Sequence, residues 1–457
     1  MIKLCIIGAG SSEFTKRIVT DLLLMPEFSS MKLALMDIDT ERLRVSELIV
    51  GAIARQIGAT PSITMHTDRR EALQGAHFVQ SSIQVGGYDP GTKIDFEIPK
   101  KYGLRQTIAD TLGMGGIMRG LRTVPVLVEI GRDILEICPD AIWLQYVNPM
   151  CINMMGLARM VPDVKAVGLC HSVQGTAEML ADDLGEKMED IVFQCAGINH
   201  MAFYLQFGKR MPDGSTVDLY PRLRELSQKI AKGDDKLSSR AREKRPEGHR
   251  MEYLAERVRY EMLNRLGYFV TESSEHFVEY VPWFIKRYRE DLLEQYQIPL
   301  DEYVDRSEYS LRRWADYATT LKEESKLETY RSNEYAGEII RGVVTHDSVV
   351  INGNVPNHGL IDNLPQDCAV EVPCLVDRNG VSPTRIGSLP PQLAALIQTN
   401  VNVQQLTVEA LATGKREHVY HAAMLDPHTA AELSIDEIWN LTDEMIEAHG
   451  DMMPVLM

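Results

Sequence analysis

"KLCIIGAGSSEF", residues 3–14, decides how the chain begins. A continuous apolar run ends at Gly8, a second glycine follows at Gly10, and a helical pattern takes over near Ser12. The first glycine permits a tight turn. The second lets a diphosphate approach the backbone at a helix N-terminus, with Ser11 on the same turn. The third position of the G-x-G-x-x-G fingerprint is Glu13, so an ordinary strand–turn–helix stays open on this stretch alone.

Working outward, further apolar runs follow at 32–37, 62–66, 77–83, 141–147 and 164–170, with helical patterns between them that include 40–57 and 118–138. The runs are continuous rather than alternating, as expected of a parallel sheet covered on both faces. The predicted fold class is α/β, a Rossmann-like doubly wound parallel sheet. Asp37 ends the second run, where an acid can hold the ribose hydroxyls of NAD rather than NADP. Asp39 suits the N-cap of the following helix better than Asp37 does. NAD is therefore the expected cofactor of this half.

After about residue 196 the βαβ rhythm stops. Charged segments 222–265 and 286–328 read as helical, and 232–245 as a solvated or mobile excursion. Strand-like sequence returns at 348–376, and apolar-periodic helices run from 389 onward. The expected division is a dinucleotide-binding domain over 1–195 and an α+β substrate, catalytic and assembly domain over 196–457.

The chain has 457 residues, 44% apolar and 25% charged, with a formal net charge of −17. That balance is globular and argues against nucleic acid or an anionic membrane as partner. No run of about 18 apolar residues is present to span a bilayer. The seven scattered cysteines lack CxxC spacing, which points to a reducing compartment and a cytoplasmic protein.

Three clusters sit at the ends of the later runs, where open α/β sheets place ligands. "QTIADTLGMGGIMRGLRT" (106–123) carries Asp110 before a glycine-rich turn, with a helix expected from near Ile117. "QYVNPM" (145–150) holds Asn148 extended before a proline, its amide suited to sugar or diol hydroxyls, although turn chemistry explains it equally well. "AVGLCHSVQG" (166–175) and "CAGINHMAFY" (195–204) supply Cys170, His171 and His200. Cys170 and His200 could together ligate a metal, but their spacing fits no zinc pattern and is better explained, by itself, as a buried structural pair.

These motifs occur in the order found in glycoside hydrolase family 4, and the chain resembles most its α-galactosidase branch. The similarity continues through "LGYFVTESSEHFVEYVPWF" (266–284), "GLIDNLPQDCAVEVPCLVD" (359–377) and "HAAMLDPHTAAELSIDEI" (421–438). Family 4 stands outside the two-carboxylate scheme of most glycosidases.

The resemblance implies hydrolysis of a terminal α-galactoside through NAD- and metal-dependent oxidation at C3, elimination of the aglycone, and water addition. It implies Cys170 and His200 as ligands of a divalent metal, usually Mn²⁺, where ligand softness alone would suggest zinc or iron. It implies His171 as the acid that protonates the leaving group, and Asp110 and Asn148 as contacts to substrate hydroxyls. The base is assigned to Glu275, with Tyr268 and His276 in reserve and Glu272 close by. A homodimer or homotetramer is expected by kinship.

The first substrate loop, "QVGGYDPGTKIDFEI" (84–98), has acidic residues and one lysine, favouring a neutral galactoside over a phosphorylated or uronic sugar. Arg119 and Arg122 nearby qualify that reading. The alternatives are α-glucosidase or α-galacturonidase chemistry on the same scaffold, a plain NAD-dependent hydroxy-acid dehydrogenase, and a non-enzymatic NAD or redox sensor.

Overall fold

A computed structural model describes residues 1–457 other than 248, 250, 252, 323, 324 and 346. Each of the six apolar runs forms a strand: β1 (Lys3–Ile7), β2 (Lys32–Met36), β3 (Ser62–His66), β4 (Phe78–Ser81), β5 (Ile142–Gln145) and β6 (Ala166–Gly168). They pair in parallel in the order β3-β2-β1-β4-β5-β6, the doubly wound order. The central strands are buried as continuous runs require, while β3 at the edge is largely exposed.

The helix Thr40–Ile57 has the predicted bounds. Asp39 caps it by accepting from the Glu41 and Arg42 amides, and Gly58 ends it at φ 80°. The later helix starts earlier than expected, running Gly113–Ile137. Its glycines are therefore first-turn residues packed into the protein rather than a flexible loop. A Cβ on Gly116 would lie 2.6 Å from the Thr111 carbonyl carbon.

The second half adds β7 (Ile191–Ile198), β8 (Met201–Arg210), β9 (Thr216–Asp218), β10 (Val349–Pro356), β11 (Ala369–Asp377) and β12 (Gly380–Pro383). These pair antiparallel, as an α+β half predicts, and extend the first sheet in the order β6-β10-β11-β7-β8-β9, with β12 beside β11. The joints are narrow: Asn354 opposite Gly168, and Glu371 opposite Gly197. A boundary between 195 and 196 falls inside β7, so the halves share one sheet. They also share a core, since Leu4, Ile198, Val372 and Val401 belong to one apolar cluster.

Within 222–265 the α-helices are Tyr220–Ile230 and Arg257–Leu266, and within 286–328 they are Glu290–Tyr296 and Glu302–Thr320. Residues 248, 250, 252, 323 and 324 of these segments lie outside the described residues. The 232–245 excursion is not merely solvated. It forms short 3-10 turns, buries Ser238 and Ser239, and sends Arg240 inward to Glu256 and Glu275. Among the described residues, no helix is long and apolar enough to cross a membrane.

Candidate active site

The site forms where the sheet changes from parallel to antiparallel. Cys170 lies two residues beyond the end of β6, and His200 occupies the turn between β7 and β8. Strand pairing thus brings together two residues far apart in sequence: Cys170 Sγ lies 3.3 Å from His200 Nε2. Glu272 faces them with Oε2 3.6 Å from the same nitrogen, and one ligand atom from each of the three lies within 4.8 Å of the others. His200, Glu272 and Ala109 all hold positive φ, at 63°, 68° and 53°. Such conformations cost about 1–3 kcal/mol each and concentrate where function fixes a side chain's direction.

His200 Nδ1 has two hydroxyl neighbours, Tyr280 at 3.2 Å and Thr111 at 3.3 Å. Thr111 donates its own proton to Asp110 Oδ1 at 2.7 Å, so it accepts from Nδ1–H. With the proton on Nδ1 and given to Thr111, the Nε2 lone pair faces Cys170 and Glu272, the arrangement a metal-binding histidine needs. Asp110 Oδ2 in turn accepts from Asn148 Nδ2 at 3.2 Å. Asp110, Asn148, Cys170 and His200 therefore belong to one connected site. Burial pushes the Asp110 carboxyl up, but Arg119, His276 and His200 outweigh it and hold it below its ordinary value.

Glu272 is mostly buried, and its Oε2 has no hydrogen-bond partner among the described residues. Burial opposes its charge, yet His276, His200 and His171 bring its pKa down to about 2. The Cys170 thiol is pushed well above its ordinary value by burial and by the nearby Glu272 and Glu371 carboxyls. A divalent cation would reverse that balance, since a coordinated thiol loses its proton outright. The donors fit such an ion: a sulfur and an imidazole nitrogen, with an orphaned carboxylate oxygen beside them whose charge would favour a cation. Behind the cluster, burial raises the Glu371 pKa to about 8, so it adds little negative charge there near neutrality.

Glu275 is buried in a different environment. Its carboxylate accepts from Arg240 Nη2 at 2.8 Å, and Arg240 overcomes the burial penalty to keep it ionised. His276 turns its Nδ1 to Ser273 Oγ at 2.7 Å and stands 3.4 Å from Glu272, its ring edge-on to His200. Tyr268 packs edge-on against Tyr220. His171 is the N-cap residue of the helix Ser172–Asp183, with its side chain 56% exposed and Nδ1 3.8 Å from Glu334. Both Glu334 oxygens are buried without a hydrogen-bond partner among the described residues.

The family assignment rests on matches over nearly the whole chain. Residues 3–186 match the family 4 glycosyl hydrolase model, and residues 195–429 match the C-terminal domain of that family. The chain belongs to glycosyl hydrolase family 4. The family 4 chain is 45% identical over 454 residues to an α-galactosidase of Bacillus subtilis, covering 99% of each. It is 34% identical to an α-galactosidase of Rhizobium meliloti, covering 99% of this chain and 89% of that one. Its fold matches a 6-phospho-α-glucosidase from gut microorganisms, solved with NAD and Mn²⁺, at TM-score 0.80 and 21% identity, covering 100% of both chains.

At the same carboxyl edge of the sheet, directly after β1, Gly8 turns the chain at φ 84°. Gly10 has no room for a side chain: a Cβ would lie 2.6 Å from Asp37 Oδ2 and 2.7 Å from Arg42 Cβ. Asp37 accepts from the Gly10 amide at 2.7 Å through Oδ2 and from the Asp39 amide at 3.0 Å through Oδ1. It thus shapes the turn, and each oxygen keeps a lone pair for a ribose hydroxyl. Ser11 is exposed beside the first turn of the helix Ser12–Leu23. This glycine turn, acid and open helix N-terminus fit a dinucleotide in a family 4 enzyme.

Sequence reasoning passed over Thr111, Tyr280 and Glu334. Thr111 and Tyr280 stand beside residues it did select, Asp110 and the 268–276 segment. Glu334 has no neighbouring motif, and only the fold brings it to His171.

Proposed function

We propose that this family 4 enzyme hydrolyses terminal α-galactosides, using NAD and a divalent metal held by Cys170 and His200. The Cys170–His200–Glu272 cluster, joined through Thr111 to Asp110 and Asn148, carries the reading. Bound NAD and metal would supply hydride removal at C3 of the sugar and polarisation of the ketone so formed. Asp110 and Asn148 are suited to fix sugar hydroxyls against the cluster. In this proposal the NAD site, Gly8, Gly10, Ser11 and Asp37, lies in residues 1–195, and 196–457 supply the substrate side and assembly surfaces.

We assign removal of the C2 proton to Glu272 in place of Glu275. Arg240 binds the Glu275 carboxylate, whereas Glu272 keeps an unpartnered oxygen facing the site. His171 is the acid for the leaving group. Glu334 faces Nδ1, leaving Nε2 to meet an aglycone oxygen.

Two observations support a neutral galactoside. The relatives at 45% and 34% identity are α-galactosidases. In addition, neither arginine near the first substrate loop is uncommitted. Arg122 is buried and binds both Asp95 oxygens, and Arg119 donates to Tyr303 while facing Asp110. Lys93 pairs with Asp89. A phosphate would have to break one of these contacts. A cytoplasmic location agrees with seven unpaired cysteines. A homodimer or homotetramer belongs to the proposal by kinship, and light scattering on the purified enzyme reads it directly.

The test is an aryl α-galactoside offered with NAD⁺, Mn²⁺ and thiol, each omitted in turn after the enzyme is stripped. Activity should require NAD⁺ and metal. Undiminished hydrolysis without them would overturn the mechanism, and net NADH formation from a hydroxy acid would favour the dehydrogenase reading.

A further inference from the structure

The glycine-rich turn leaves one oddity. Glu13 stands where the fingerprint has its third glycine, in the first turn of a helix whose N-terminus would face a diphosphate. An acid is stabilising there in the free protein because it complements the helix dipole, yet it would repel the phosphates.

The structure supplies a counter-charge from the other half of the chain. Arg313, on the helix Glu302–Thr320, donates from Nη2 to Glu13 Oε1 at 3.1 Å. The same nitrogen lies 3.0 Å from the Tyr317 hydroxyl, and the guanidinium sits over the rings of Tyr309 and Tyr317. It is aimed rather than free, and its side chain is still 43% exposed. One residue on, Trp314 lies under the Arg42 guanidinium at 4.6 Å, and Arg42 is the residue that crowds Gly10 beside Asp37. The Trp314 indole N–H is buried without a partner among the described residues. A native protein seldom leaves such a donor unmet unless a ligand or water completes it. Two adjacent side chains of one helix thus address the two ends of the expected adenosine diphosphate, the turn at Glu13 and the ribose acid at Asp37.

We propose that Arg313 is a cofactor-binding residue: it binds the dinucleotide diphosphate, is oriented by Glu13, and is carried by a helix that forms the outer wall of the site together with Trp314. The inference rests on the NAD reading above. An arginine already held in place beside the turn loses little freedom on binding and offers two N–H groups to phosphate oxygens. A solvent-exposed ion pair with no ligand role would contribute almost nothing.

Binding of NAD⁺, ADP-ribose and adenosine to the full-length protein, followed by calorimetry and tryptophan fluorescence, tests it without any turnover. Arg313→Ala should weaken NAD⁺ and ADP-ribose by about tenfold or more while leaving adenosine unchanged. Arg313→Lys should restore part of the loss. Trp314→Phe should remove the fluorescence change on NAD⁺ binding. NAD⁺ affinity within about twofold of wild type in Arg313→Ala would overturn the inference, as would an equal loss for adenosine, which would mark a disturbed fold. Wild type that binds no NAD⁺ would instead bring down the NAD reading, and this inference with it.

Discussion

At the residue scale, the site turns on which of two neighbouring carboxylates faces it. Glu272 and Glu275 are three positions apart, and nothing in "TESSEHF" distinguishes them. The difference comes from Arg240, contributed by the 232–245 excursion, which pairs with Glu275. Glu272→Gln should therefore lower kcat by about 10²–10⁴-fold and abolish deuterium uptake at C2 in D₂O, with Mn²⁺ affinity retained. Loss of Mn²⁺ binding instead would make Glu272 a ligand rather than the base. Glu275→Gln should chiefly lower thermal stability, because it leaves a buried carboxylate position uncharged and the half-buried Arg240 short of one partner. Cys170→Ser should lose metal-dependent activity while binding NAD⁺ normally, as the thiol follows β6, three strands along the sheet from the turn after β1 that carries Gly8 and Gly10. Retained activity in that variant would refute the ligand assignment.

At the scale of elements, legibility followed periodicity. The six strands and the helix Thr40–Ile57 could be read because burial imposes continuous apolar runs or a helical stripe. "GMGG" has neither, and its helical state is fixed by tertiary packing: the first turn lies backbone against backbone on residues 109–111. The metal pair was likewise invisible to spacing, because sheet pairing rather than a short motif joins Cys170 to His200. Family resemblance had to supply it. The packing makes a prediction. Gly116→Ala would press on the Thr111 backbone, and Thr111 positions both His200 and Asp110, so kcat/KM should fall by about a hundredfold or more with circular dichroism unchanged. Near-normal activity would mean that the 109–111 turn can move at little cost.

A second element has a pH signature. His428, in the short helix Pro427–Glu432, is buried with Nε2 2.8 Å from the Arg105 carbonyl. Burial brings its pKa down to about 4. A folded-state pKa below the unfolded one, about 6.5, gives stability that is present above pH 6.5 and lost as pH falls toward 4. His428→Gln keeps a donor for that carbonyl and removes the titration. The drop in Tm between pH 7 and pH 4.5 should therefore be smaller in the variant, by an amount equivalent to about 2 kcal/mol. Asp426 works in the opposite sense, with its pKa raised to about 6 by burial, so only the difference between variant and wild type isolates His428. Equal acid sensitivity in both would show that His428 is not the group that titrates.

At the scale of the whole molecule, the two halves are distinct in sequence yet joined through one sheet and one core. The site straddles the joint: β6 carries Cys170, the β7–β8 turn carries His200, and Glu371 of β11 lies opposite Gly197 behind them. A metal bound there is held by residues of both halves, and it can be retained only while both are folded. Ligand binding of this kind adds RT ln(1 + [L]/Kd) to the stability of the unit that contains the site, about 2.7 kcal/mol at a hundredfold excess over Kd. If the shared sheet makes that unit the entire chain, far-UV circular dichroism and tryptophan fluorescence should report one coincident thermal transition. Mn²⁺ should move that whole transition upward, and chelator should move it back. Two transitions, only one of them responsive to Mn²⁺, would mean that the halves unfold separately and that the strand joints at Gly168 and Gly197 are too narrow to couple them.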